Sequence, residues 1–102
     1  MTTTTTFWNL NATSTRIERP TQGPALSTND VHVDDSPFRQ CWGCAPESLP
    51  PCTWLFSAEL SNNGLGRTAI FHVRGAQTYA EALQIATNEA AEGGIRTIQV
   101  LA

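Results

Sequence analysis

Cys41, Cys44 and Cys52 fall in one short stretch, "FRQCWGCAPESLPPC", which spans 38–52 and holds every cysteine of the chain. A Cys-x2-Cys pair can give two thiolates to one metal ion, and a structural zinc takes four thiolate or imidazole ligands. Cys41, Cys44, Cys52 and His72 make up that number, with His32 as the other imidazole available. Such a site would add its binding energy directly to folding, which matters in a domain of this size. Against it, the spacing matches no standard zinc finger and no second Cys-x2-Cys is present. A redox pair of the thioredoxin type opens a helix behind a strand, whereas Pro50 and Pro51 follow this pair closely and predict a loop. A thiol nucleophile with His72 as its base lacks any oxyanion motif. The plainer reading weighs more: small thiols packed in a tryptophan-bearing loop, with no cofactor and no catalysis.

The rest of the chain offers little other chemistry. It has no GxGxxG, P-loop, HExxH or GxSxG motif. Asp34-Asp35 precedes Ser36-Pro37 and reads as a turn. The formal charge of −3, with six scattered arginines and no lysine, argues against nucleic acid or an anionic membrane as partner, since both require a basic stripe. No apolar run approaches the roughly 18 residues of a membrane span. The start, "MTTTTTFWNL", lacks the basic and apolar regions of a secretory signal. An odd number of cysteines argues against a closed disulfide framework and for a reducing compartment.

The elements that would position these groups lie mainly beyond Pro51. "TWLFSAEL" alternates, placing Trp54, Phe56, Ala58 and Leu60 on one side and Leu55, Ser57 and Glu59 on the other. Asn63-Gly64 follows, a pair that tolerates the positive φ of a tight hairpin turn. "RTAIFHVRG" returns with Ala69, Phe71 and Val73 on one face and Thr68, Ile70, His72 and Arg74 on the other. The spacing predicts a hairpin of 53–60 and 67–74, a helix over 78–92 and a strand over 95–101. Thr78 and Glu81 supply a capping pair and Gly93-Gly94 a stop. The expected fold is α+β: a small ββαβ sheet with the last strand beside the first and one helix packed on one face.

Residues 1–37 are rich in Thr, Ser, Asn, Asp and Pro and read as an extended N-terminal arm with a short strand near 31–33. The expected division is therefore an arm over 1–37, a Cys- and Pro-rich loop over 38–52 and a domain over 53–102. On this reading residues 1–30 can be removed without harm to 53–102 but with loss of partner binding. Phe7, Trp8 and Leu10 are apolar groups in a segment with no core of its own, and tryptophan is enriched at binding hot spots. The alternative is that Trp8 folds back over the sheet. On the helix, Ile85 falls among Glu81, Glu89 and Glu92, away from the stripe of Tyr79, Leu83, Ala86 and Ala90. It joins Phe7, Trp8 and Leu10 as a candidate partner contact.

"GAQTYAEALQIATNEA" resembles the strand-to-helix segment of HicB-type antitoxins, in which a Gly, a Thr and a Glu-Ala pair open the helix. The Gly75–Thr78 spacing here is one residue longer. Similar hairpin–helix–strand pieces occur in small phage and mobile-element proteins, some anti-CRISPR proteins among them. The resemblance implies a non-enzymatic protein that binds a protein assembly or complex, located in a virion or the host cytoplasm. A virion accessory or decoration protein is the first expectation. A soluble inhibitor of a bacterial defence complex is the alternative, and a zinc-stabilised domain or thiol enzyme the third.

Overall fold

Alternation in the central hairpin sets up the whole architecture. In the computed structural model, which describes residues 4–10, 16–43, 54–62 and 65–101, Trp54–Asn62 (β4) and Leu65–Arg74 (β5) form an antiparallel pair in which Phe56 faces Phe71 and Asn62 faces Leu65. The connection is thus two residues, Asn63 and Gly64, which lie outside the described residues. Tyr79–Glu92 (α2) follows, and Thr97–Val100 (β6) returns antiparallel to β4. The last strand therefore sits beside the first strand of the hairpin, as the sequence predicts.

Both ends of α2 are closed by their own side chains and backbone. Thr78 Oγ1 accepts the Glu81 N–H at 3.2 Å. Glu81 Oε2 accepts the Gln77 N–H at 3.2 Å, one residue outside the usual reciprocal cap. At the other end Ile95 N–H reaches Ala90 O at 2.8 Å and Gly94 N–H reaches Ala91 O at 3.1 Å. Gly94 has φ +72°. This is a Schellman close, and it needs a residue at ease in the left-handed region.

The first 37 residues differ from the expected arm. Thr5–Leu10 (β1) runs antiparallel along the outer side of β5 from Ala69 to Arg74, with Trp8 opposite Phe71. Arg16–Ile17 (β2) pairs with β1, and His32–Asp34 (β3) pairs parallel to β6. The short strand near 31–33 is present, but it belongs to a six-stranded sheet of order β2-β1-β5-β4-β6-β3. The physical reason is the unpaired edge of β5. A strand of β-branched threonines and aromatic residues satisfies that edge and adds Trp8 to the core.

The stretch read as a loop from residue 38 begins inside a second helix, Ser36–Trp42 (α1). Pro37 is compatible with it because the first helical turn needs no proline N–H. Asp34 Oδ1 accepts the Ser36 N–H at 3.0 Å, so the Asp-Asp-Ser-Pro run starts a helix in place of an isolated turn. Gly43 ends α1 with φ 71°. Phe38 is fully buried and packs 6.3 Å from the ring of Trp54, which in turn lies 5.3 Å from Tyr79 of α2. Both helices thus lie on the Trp54 side of the sheet.

That side holds the core. Phe71 connects Trp8 on β1 with Phe56 on β4, and Phe56 pairs onward with Val100 on β6. Ala82, Ala86 and Ala90 let α2 approach this layer closely, and all three are buried. The segment after β2 straps the C-terminal end of α2: Gln22 N–H bonds Gly93 O and Leu26 N–H bonds Ala91 O, both at 2.7 Å.

Candidate functional site

Period-two alternation leaves the opposite side of the sheet free of both helices. Register aligns one row of residues across all six strands: Asp34, Gln99, Ser57, Ile70, Asn9 and Arg16. A neighbouring row contains Leu55, His72 and Phe7. The centre of this face is partly covered by its own side chains. Ser57 is only 6% exposed, and its Oγ donates to Gln99 Oε1 at 3.5 Å.

The densest cluster lies where β1, β2 and β5 meet. The Phe7 and His72 rings stack at 4.2 Å between centroids and 11° between planes. His72 Nε2 meets Asn9 Oδ1 at 3.1 Å, and the amide oxygen must be the acceptor when the imidazole is neutral and protonated at Nε2. The guanidinium of Arg16 stands 4.5 Å from the Phe7 centroid and that of Arg74 5.5 Å from it. Burial first, and then the charge of Arg74, hold His72 below the usual imidazole range.

A polar groove of about 360 Å³ opens toward the β6 side, lined by Ser57, Glu59, Thr97, Gln99, Arg96 and Gln22. Its hydroxyl meets an amide, and the Glu59 carboxylate accepts from Thr68 Oγ1 at 3.2 Å. These contacts suit hydrogen-bonded recognition; no nucleophile is paired with a base among the described residues of this groove.

Residues singled out from sequence are distributed over both sides. Trp8 is 4% exposed and faces the core, its indole N–H donating to Glu89 Oε1 at 3.1 Å. Of the two readings of Trp8, the fold-back over the sheet is the one realised. Leu10 is half-buried and lines a cleft of about 410 Å³ with Ile17, Leu60 and Arg67 on the core side. Ile85 is half-buried against the core, because β1 widens the sheet beneath the helix stripe that carries Ile85 and Glu89. Of the four candidate partner contacts, Phe7 alone projects from the open face.

The metal candidates are not brought together where they can be located. Cys41 is exposed on α1, on the Trp54 side of the sheet, whereas His72 and His32 project from the other side. Cys44 and Cys52 lie outside the described residues. Among the described residues no three His, Cys, Asp or Glu side chains converge on a metal position. What sequence reading missed is the pair Arg16 and Arg74. Nothing in their spacing couples them, since only the pairing of β1 with β2 and β5 brings both to Phe7.

No protein-family model, curated protein or solved structure matches the chain.

Proposed function

We propose that this chain is a non-enzymatic protein-binding module that meets its partner through the open face of the sheet. One observation carries the reading: both helices pack on the Trp54 side, while Phe7, Leu55 and Ile70 stand half-buried among polar groups on the other. Mixed apolar, aromatic and arginine surface of this kind is the composition of a recognition patch. Within this class, a virion accessory role is the first reading, on the strength of the hairpin–helix–strand likeness to small phage and mobile-element proteins. The N-terminal segment then contributes as part of the sheet, through Phe7 and Arg16, rather than as a free arm. A soluble inhibitor of a host defence complex would use the same face.

Affinity capture from the native source tests this, comparing the full chain with Ile70→Glu, whose fold is checked by its thermal melt. A partner recovered by the first and lost by the second supports the reading. Equal recovery by both overturns it. A capsid or tail protein favours the assembly role, and a nuclease complex the inhibitor.

A further inference from the structure

We propose that the cluster of Phe7, Arg16 and Arg74 is the seat for a carboxylate-bearing, acidic segment of the partner protein. This rests on the open-face reading and adds the chemistry of what that face selects. Arg19 and Arg39 are each paired with carboxylates of this chain: Glu89 and Glu92 for the first, Asp35 for the second. Arg67 and Arg96 meet no carboxylate among the described residues and stand over no ring, so Arg16 and Arg74 differ from all four. Among the described residues neither meets a carboxylate, and both stand over the same aromatic ring.

A guanidinium held against a ring keeps its N–H edge free and its orientation limited, and that edge is the part that binds a carboxylate with two parallel hydrogen bonds. Each guanidinium also carries a charge that no carboxylate of the described residues neutralises, so an anion at its free edge gains Coulomb energy. Phe7 is itself braced from the β5 side by the stacked ring of His72. The site is thus assembled before any ligand arrives, which reduces the ordering needed on binding.

Charge on the rest of the face favours a protein over a nucleic acid. Asp34 and Glu59 belong to the same open side toward β3 and β4, and the chain carries a net charge of −3. A phosphodiester backbone extended across this face would meet those carboxylates, and two arginines do not make the basic stripe it requires. A short acidic segment needs only the local cluster.

The test is a titration of the isotope-labelled full chain with an amidated tetraglutamate peptide, followed by NMR. A tetraglutamine peptide, inorganic phosphate and a short single-stranded DNA serve as comparisons. Tetraglutamate is expected to shift Phe7, Arg16, His72 and Arg74, with tetraglutamine silent. Binding should weaken as salt rises from roughly 0.01 M to about 1 M, where the Debye length falls from about 30 Å to about 3 Å. In the double variant R16Q/R74Q, whose exposed positions leave the fold unchanged by its amide spectrum, affinity should fall at least about tenfold. Absence of binding, shifts elsewhere, or equal binding by R16Q/R74Q overturns the proposal. So does tighter binding of phosphate or DNA at the same residues. If a captured partner is lost with Ile70→Glu yet kept with R16Q/R74Q, the open face stands and the carboxylate seat falls. If the full chain captures no partner, the open-face reading itself fails.

Discussion

His72 lies flat against Phe7 and bonds Asn9, while burial first, and then the charge of Arg74, disfavour its charged form. The charged groups near it are Arg74 on its own strand and Arg16 across Phe7; β4 places Leu55 opposite it and β1 contributes the neutral Asn9. Because the folded-state pKa is lowered, the unfolded chain takes up the proton first as pH falls. The contribution to stability is therefore complete above the ordinary imidazole range near ~6.5 and is lost as pH falls through it. The melting temperature should drop between about pH 7.5 and about pH 5, and by less in His72→Gln, which lacks this group. An equal drop in both proteins would remove His72 from the account. Gly94 gives a second residue-scale expectation. A Cβ there would lie 2.7 Å from Gly23 O on a backbone of φ +72°, whereas Gly66 has nothing within 4 Å. Gly94→Ala should destabilise by about 2 kcal/mol or more in urea denaturation, and Gly66→Ala should stay within about 0.5 kcal/mol.

At the scale of elements, β1 decides what the N-terminal third of the chain is for. Sequence reading lets residues 1–30 be removed without harm to 53–102. The register of β1 on β5 and the burial of Trp8 reverse that expectation. Removal strips β1 and β2 from the sheet, leaves the edge of β5 unpaired and opens the core beside Phe71. The truncated chain should lose its cooperative melt or aggregate. Trp8→Ala in the intact chain should cost about 3–5 kcal/mol by chemical denaturation. A truncated protein that melts as sharply as the full chain would show that 53–102 folds alone. The central hairpin, the ends of α2 and the position of β6 were all legible, because alternation, capping residues and a Gly-Gly stop are local signals. α1 was not, because Ser-Pro after two aspartates starts a turn or a helix equally well. The burial of Phe38 against Trp54 selects the helix.

Across the whole molecule, segments far apart in sequence share one sheet and one core. Arg19, between β2 and the strap along α2, pairs with Glu89 and Glu92, and Glu89 also holds Trp8. The chain should therefore unfold in a single transition in which indole fluorescence and backbone ellipticity coincide. Chelation should leave that transition unchanged, because Cys41 is exposed on the side of the sheet opposite His72 and His32. Native mass spectrometry is expected to show no bound zinc, and Cys41 should react with an alkylating reagent without denaturant. A zinc ion lost together with the melting transition would restore the knuckle, with its ligands drawn from Cys44 and Cys52.

The sequence alone determined which residues share a face. Period two in β4 and β5 separates Phe56, Phe71 and Val73 from Ser57, Ile70 and His72, and helical spacing gives α2 its alanine stripe. These patterns follow from backbone geometry and hold wherever the element is placed. Tertiary structure decided which faces meet. Pairing of β1 with β5 placed Trp8 inside and Phe7 outside, and a shift of one residue would have exchanged them. Together with the pairing of β1 and β2, that same pairing joined Arg16 and Arg74 around one ring, and it drew Ile85 toward the core. Residues 5–10 and 65–74 carry no mutual signal in sequence, since the pairing depends on an edge that exists only once the hairpin has formed.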